Sequence, residues 1–350
     1  MSKAKLWAAV FVGSAAVTAV ACGGGGGTAT TGSHTTGSHS TGSAGTGGAT
    51  TASSGGTGGA TTASTGTGGS KTAGARVFLI MMENHNWGDI KGSASAPYIN
   101  GLLTTGAHAE QYFNPSKLHP SEPNYIWLEA GDNLGVFNDL PPSINHLSSK
   151  AHLVTQLEKA GRSWKAYQED ISGMDCPLVG VGNYAPKHNP MIFFDDVTDG
   201  TSATSAHCIK HVRPYTELAA DLTGDKVSDY NFITPNLCND THDSCPPQND
   251  PIKQGDDWLK AEVPKILASK AYTDGAVILI TWDESELGDF PIGMIALGKS
   301  VNAGHTSSIA YDHSSTLRTV QEILGVSPFL GGAATATDLA DLFTTFPAAK

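Results

Sequence analysis

The stretch Val77–His85, VFLIMMENH, decides how the rest of the chain is read. Its first six residues are apolar, with β-branched and aromatic members, and the run is too short for a helix. Such a segment reads as a strand buried on both faces. Glu83, Asn84 and His85 begin where it stops. In an open sheet of parallel strands, that is the edge where ligands bind. A buried strand entering an ordinary polar loop would look the same, so the pattern gains meaning by recurring. Asp229–Thr234 runs into a polar cluster that contains Asn236 and His242, and Ala276–Trp282 (AVILITW) ends in Asp283 and Glu284.

Between these runs lie segments with helical spacing. Ala96–Gly106, Ile144–Ala160, Leu218–Leu222, Asp256–Ser269 and Ser314–Leu324 are the expected helices, with Pro264 kinking the fourth. Ser163–Tyr167 and Ile292–Leu297 are the remaining expected strands. Strands alternating with helices imply an α/β fold: a mostly parallel central sheet with helices on both faces. Right-handed crossovers then bring the ends of the parallel strands to one rim. That rim collects Glu83, Asn84, Asp283 and Glu284 with Asn236 and His242. Such an oxygen-rich set suits a hard or borderline divalent cation, although adjacent carboxylates at a strand end can also stand exposed without a ligand.

The region before Ala75 has a different character. Met1–Ala21 carries Lys3 and Lys5 ahead of an apolar segment and reads as an export signal, too short and alanine-rich for a membrane span. Cys22 follows Ala19-Val20-Ala21, as in a bacterial lipoprotein cleavage box. The expected product is a lipid-anchored envelope protein, with ordinary cleavage and secretion as the alternative. Gly23–Gly74 is almost wholly Gly, Ser, Thr and Ala and cannot bury enough surface to order itself. As a flexible tether it spans about 40 Å on average. The folded domain is therefore expected over residues 75–350. All 33 acidic residues lie there against eighteen of the 21 basic ones, an excess that argues against nucleic acid as a partner. Four cysteines remain in an exported chain, which favours two disulfides over a zinc site, since no zinc-type spacing occurs. Cys238 pairs with Cys245 by proximity and Cys176 with Cys208 by elimination.

Ser121 opens Ser-Glu-Pro-Asn-Tyr, a helix start in which the serine is the expected N-cap. The same geometry places a hydroxyl before free backbone N–H groups and the positive end of the helix dipole, a natural seat for phosphate. Lys187 and His188 share a loop, and His313 precedes the last helix, where it could serve only as its cap.

Taken together, six motifs resemble a known family. They are Glu-Asn-His (83–85), His-Pro-Ser-Glu-Pro-Asn-Tyr (119–125), Lys-His-Asn-Pro (187–190), Pro-Asn-Leu-Cys-Asn-Asp-x-His-Asp (235–243), Thr-Trp-Asp-Glu (281–284) and Asp-His-Ser-Ser-x-Leu-Arg-Thr (312–319). In this order they resemble the bacterial acid phosphatase and phospholipase C phosphoesterase family, within the alkaline-phosphatase-like superfamily. The resemblance implies that Glu83, Asn84, Asp283 and Glu284 hold a divalent metal, with Ca²⁺, Mg²⁺ or Mn²⁺ favoured. It makes Ser121 the nucleophile, also touching the metal, and His188 and His242 the histidines of the phosphate pocket. Lys187 and His313 match positions beside the substrate phosphate. The run Glu284-Ser285-Glu286-Leu287 departs from the more acidic, glycine-containing form of relatives.

The implied reaction is hydrolysis of a phosphate monoester through a phosphoserine, with a histidine protonating the leaving alcohol. The partner is a small phosphorylated substrate or a phospholipid head group. Histidine, with an unperturbed pKa of about 6.5, does this best at mildly acid pH. A phospholipase C-type phosphodiesterase and a non-catalytic surface lipoprotein are the alternatives.

Overall fold

Val77–Met82 forms β1 and is buried along its whole length. A strand with no exposed residue must be covered on both faces, and each large apolar side chain so buried contributes about 1.5–3 kcal/mol. The computed structural model describes residues 75–347. The expected leader, Cys22 and the tether lie outside the described residues.

The other strands follow in chain order: β2 (Ala107–Ala109), β3 (Tyr112–Phe113), β4 (Trp164–Gln168), β5 (Val212–Pro214), β6 (Tyr230–Thr234), β7 (Val277–Trp282), β8 (Met294–Leu297), β9 (Thr306–Ser307) and β10 (Tyr311–Asp312). Eight of them make one sheet in the order β5-β4-β6-β1-β7-β8-β2-β9, and β10 pairs with β3 apart from it. The block β5-β4-β6-β1-β7 is parallel throughout. β8 runs antiparallel to β7 and β2, and β9 runs parallel to β2. This is the expected α/β architecture with a mostly parallel sheet. β1 lies at its centre, with Ile80 level with Ile233 on one side and Ile280 on the other. The loops that leave β1, β6 and β7 therefore emerge side by side.

Several helices differ from expectation. Ile144–Ala160 is not one helix: Pro142–Asn145 and Leu153–Lys159 are separate, because Leu147 leaves the helical path to bridge to Phe194. Its N–H donates to the Phe193 carbonyl at 2.7 Å and its carbonyl accepts from Asp195 at 2.9 Å. The helix expected from Asp256 begins earlier, at Pro251, where Asp250 caps it by accepting from the Lys253 N–H. It runs unbroken to Leu267 through Pro264, which sits close enough to the end to leave one element. His313 does not cap the last helix. Asp312 does, in a capping box with Ser315, and His313 is the first helical residue. Both expected disulfides are present, Cys176–Cys208 and Cys238–Cys245.

Close packing fixes the loop after β6. A Cβ on Gly255 would lie 2.2 Å from Thr241 Cγ2 and 3.0 Å from Met82 Cε, so glycine lets the Pro251–Leu267 helix press onto that loop. Thr241 itself has φ of 80°, a left-handed conformation that is strained for a β-branched residue. Its hydroxyl donates to the Glu83 carbonyl at 2.6 Å and accepts from Trp282 Nε1 at 3.2 Å. One side chain thus ties together the ends of β1, β6 and β7.

Glu129 is a buried acid away from this rim. Tyr230 OH donates to its Oε1 at 2.9 Å while Oε2 has no partner. Burial pushes its carboxyl up from 4.5 to about 8. The folded state therefore holds a proton that the unfolded chain releases, so this group's effect on stability becomes more unfavourable as pH rises between those values. Glu129→Gln is expected to flatten the stability curve between pH 5 and 8, by up to about 1.4 kcal/mol per pH unit. Urea unfolding at several pH values measures it, and an unchanged slope would refute the assignment.

Candidate active site

Glu83, the first residue past β1, is fully buried. Its Oε1 accepts from Tyr125 OH and its Oε2 accepts from Ser121 Oγ at 3.1 Å. Both donors stand on the helix Ser121–Ala130, four residues apart and so on one face. Ser121 is not the N-cap. Pro120 occupies that position and Ser121 is the first helical residue, its hydroxyl turned toward Glu83 instead of back onto the helix.

Asn84 sits between two strand ends with φ of 34°, left-handed and uncommon for a residue other than glycine. Its backbone N–H donates to Asp283 Oδ1 at 2.9 Å. Its side-chain amide faces acceptors alone, so without an ion its nitrogen is the end turned to Asp283 Oδ1 at 2.9 Å and Glu83 Oε2 at 3.1 Å, and a bound cation would take its oxygen instead.

The carboxylates carry the same message. Burial, with Asp283 and Asp240 beside it, pushes Glu83 well above the usual carboxylate range. Burial also raises Asp240, pushes Asp283 up to about 7, and with Asp283 pushes Glu284 to about 9. Four acidic groups buried together repel one another, and a bound cation would relieve them. Glu83, Asp240 and His188 also offer buried donor atoms within 4.8 Å of one another. The residues present therefore fit a divalent ion: Glu83, Asn84, Asp283 and Glu284 would supply its oxygens, with Ser121 beside them and Asp240 as a further acidic donor.

The histidines divide into two kinds. His188 is buried, stacked on Tyr125 with ring centroids 5.3 Å apart, and lies between Glu83 Oε2 (3.2 Å) and Asp240 Oδ2 (3.4 Å). Those contacts are poorly aligned, leaving His188 Nε2 and Asp240 Oδ2 without hydrogen bonds. Burial, reinforced by Lys187 and His242, pushes His188 well below the usual histidine range. His313 is also buried: Nε2 donates to the Asp283 carbonyl at 2.6 Å and Nδ1 accepts from Tyr112 OH at 3.0 Å. Both its nitrogens are engaged, and the one on the Asp283 carbonyl braces that strand end. His242 and His119 are partly open to solvent. His242 Nδ1 pairs with Asp243 Oδ1 at 2.7 Å and His119 Nδ1 with Glu284 Oε2 at 2.5 Å.

Lys187 is the cation of the site and is held by Asp139 at 2.9 Å. Asp139 also accepts from the Glu122 N–H at 3.0 Å, so one carboxylate links the lysine to the start of the Ser121 helix. Asn236 does not join the acidic set. Its side chain accepts from the Cys238 and Asn239 N–H groups and donates to Asp170, which shapes the disulfide-closed loop. Sequence reasoning singled out neither Asp240, Tyr125, Asp139 nor His119. Tyr125 alone carried a positional signal, four residues after Ser121 on a helix.

A carboxylate-lined rim around a helix-borne hydroxyl, on a mostly parallel α/β sheet, defines a phosphoric ester hydrolase once relatives are compared. The chain belongs to the Phosphoesterase family, whose model matches residues 92–327. It is 30% identical over 270 residues to a phosphatidylinositol-3-phosphatase of Mycobacterium tuberculosis, covering 77% of this chain and 83% of that one. It is 28% identical to a probable acid phosphatase of Kluyveromyces lactis and to a phosphate-repressible acid phosphatase of Penicillium chrysogenum. Those matches cover 70% and 69% of this chain, which spans 57% and 58% of the two fungal proteins. The fold is also that of an alkaline phosphatase superfamily protein from Vibrio parahaemolyticus, with a TM-score of 0.52 at 11% identity over 77% of this chain and 71% of the other. Among the described residues, no helix is long and apolar enough to cross a membrane.

The crowded acids generate a pH test. Asp283 binds its proton more tightly folded than unfolded, between its ordinary 3.8 and about 7. Chelator-treated protein is thus expected to lose stability as pH rises from about 4 to 7. Asp283→Asn should raise its Tm more at pH 7 than at pH 5, and added Mg²⁺ or Mn²⁺ should stabilise the parent but not the variant. Melting curves decide it, and a variant less stable than the chelated parent at both pH values would sink the reading.

Proposed function

We propose that this protein is an exported acid phosphatase that hydrolyses phosphate monoesters, with Ser121 as nucleophile and a divalent cation among Glu83, Asn84, Asp283, Glu284 and Ser121. The observation that carries this reading is the Ser121 hydroxyl, held at a helix N-terminus and aimed at a rim of buried acids. Two disulfides favour an oxidising compartment. Export through residues 1–21, with a lipid on Cys22, is part of the proposal.

A bound Ca²⁺, Mg²⁺ or Mn²⁺ supplies Lewis acidity, lowering the pKa of the serine hydroxyl and neutralising phosphate charge. Ser121 Oγ gives its proton to Glu83 Oε2, the acceptor it already faces, and attacks phosphorus as the bond to the leaving oxygen breaks, forming phosphoserine; that proton returns to Oγ when water releases phosphate. Lys187 and the helix N-terminus stabilise charge on the equatorial oxygens, for which phosphate must compete with Asp139. His242 gives its proton to the leaving alcohol and then takes one from the water that cleaves the phosphoserine. His188, buried and resistant to protonation, lies between Glu83 and Asp240. That division makes His242 the acid of the pair.

A lipid phosphate is the second reading. Phe137, Leu140 and Ile144 are exposed on the segment that carries Asp139, beside Lys187. The mycobacterial relative is named for a phosphoinositide, and an apolar lip of this kind suits acyl chains.

Assays on p-nitrophenyl phosphate should show higher activity at mildly acid than at alkaline pH, as a histidine acid requires. Ser121→Ala and chelation should each remove it, the variant by about 10³-fold or more. Full activity in Ser121→Ala would exclude the serine route. Ile144→Ser with Phe137→Ser should lower kcat/KM on short-chain phosphatidylinositol 3-phosphate several-fold and leave p-nitrophenyl phosphate untouched. Equal loss on both substrates would remove the lipid reading. Diacylglycerol release from phosphatidylcholine would favour phospholipase C chemistry.

A further inference from the structure

At the other end of the sheet lies a second cluster of metal-type side chains. β4 runs parallel to β1, so Trp164 marks the rim opposite the one that carries Glu83. Around it stand Glu158, on the helix Leu153–Lys159, and His207 and His211, both on the helix Ala206–His211. The histidines are four residues apart and share a helix face. One donor atom from each of the three residues lies within 4.8 Å of the others.

The hydrogen bonds fix which nitrogens face the cluster. His207 Nδ1 donates to the Asp196 carbonyl at 3.1 Å and His211 Nδ1 donates to the Trp164 carbonyl at 2.9 Å. A carbonyl can only accept, so each Nδ1 is a donor; His211 Nε2 makes no hydrogen bond, while His207 Nε2 donates to Glu158 Oε1, a proton that a bound metal would displace. Both Nε2 atoms face the same carboxylate oxygen, Glu158 Oε1, at 2.6 and 3.8 Å. Trp164 Nε1 donates to that oxygen as well, at 2.9 Å. Imidazoles whose Nδ1–H is anchored on a carbonyl, beside a carboxylate oriented by its own donor, make the outer support that metal-binding histidines have.

The frame is rigid. Cys208 lies between the two histidines, is buried, and is bonded to Cys176. Ser205 caps the helix by accepting the Cys208 N–H. The His211 ring stacks on Trp164 with centroids 4.4 Å apart, and His207 meets it edge-on at 6.2 Å. His207 and Glu158 remain about a third exposed, so solvent reaches the fourth position.

We propose that Glu158, His207 and His211 form a second, zinc-type metal site, separate from the phosphoesterase rim and clipping two helices together. Two imidazoles and one carboxylate favour Zn²⁺, Ni²⁺ or Cu²⁺ over the hard cations suited to the oxygen-rich rim. Zinc bonds of about 2.0–2.1 Å require the present spacing to adjust by on the order of 1 Å, within reach of side-chain rotation. Without the ion, the same residues make an ordinary hydrogen-bonded trio in which His207 pairs with Glu158.

The test counts zinc. The full chain, stripped with chelator, is titrated with ZnCl₂ by calorimetry beside His207→Gln/His211→Gln and, as a milder variant, Glu158→Gln. The parent should bind one more equivalent than the double variant, and Glu158→Gln should bind that equivalent at least about tenfold more weakly. Zinc should also raise the Tm of the parent more than that of the double variant, with near-ultraviolet circular dichroism confirming the fold. Equal stoichiometry and equal thermal shifts in all three proteins would overturn the proposal. So would one extra equivalent that Glu158→Gln binds as tightly as the parent.

Discussion

The structure depends on keeping mutually repelling acids buried in one place. Glu83, Asp240 and Asp283 are shielded from water and Glu284 is nearly so. Alone, any one of them would resist burial; together they raise one another's affinity for protons. Hydrogen bonds from Tyr125, Ser121 and the Asn84 backbone compensate only in part. What remains is a centre short of positive charge. On the proposed reading, that shortage is what a cation would answer, beside a serine, a lysine and histidines suited to an anionic ester.

Sheet topology delivers these acids to one point. β1 is flanked by β6 and β7, so Glu83, Asp240 and Asp283 leave neighbouring strands in the same direction. Thr241 then fixes their spacing with two hydrogen bonds, and Gly255 allows a helix to brace it from behind. Backbone strain at Thr241 and Asn84 is concentrated where side-chain placement matters most.

What could be read from the amino acids follows a physical divide. β1 and β7 are long apolar runs that announce themselves, and the mostly parallel sheet follows from their alternation with helices. β2, β3, β9 and β10, of two or three residues, have too few positions to show a period. Leu147 could not be predicted to leave a helix, because its partners at Phe193 and Phe194 are distant in the chain. The motifs did pick out acids that the fold brings together, since residues at a strand end inherit the strand's position. Asp240 escaped notice because nothing in Asn239-Asp240-Thr241-His242-Asp243 marks which acid turns inward; that is decided by Thr241 and by contacts from a remote helix. Ser121 was misplaced as a cap for a related reason, its hydroxyl being drawn to Glu83 by tertiary proximity.

The central position of β1 has a bearing on how the chain acquires its site. Its two neighbours lie far along the sequence, Val77 pairing with Tyr230 and with Val277. Such pairings close long loops and form late, because the entropy of closure is lost before any contact repays it. Nascent or clipped chains that lack β7 are without Asp283 and Glu284, two of the four buried acids. The complete acidic rim is therefore a property of finished molecules, withheld during synthesis by topology alone.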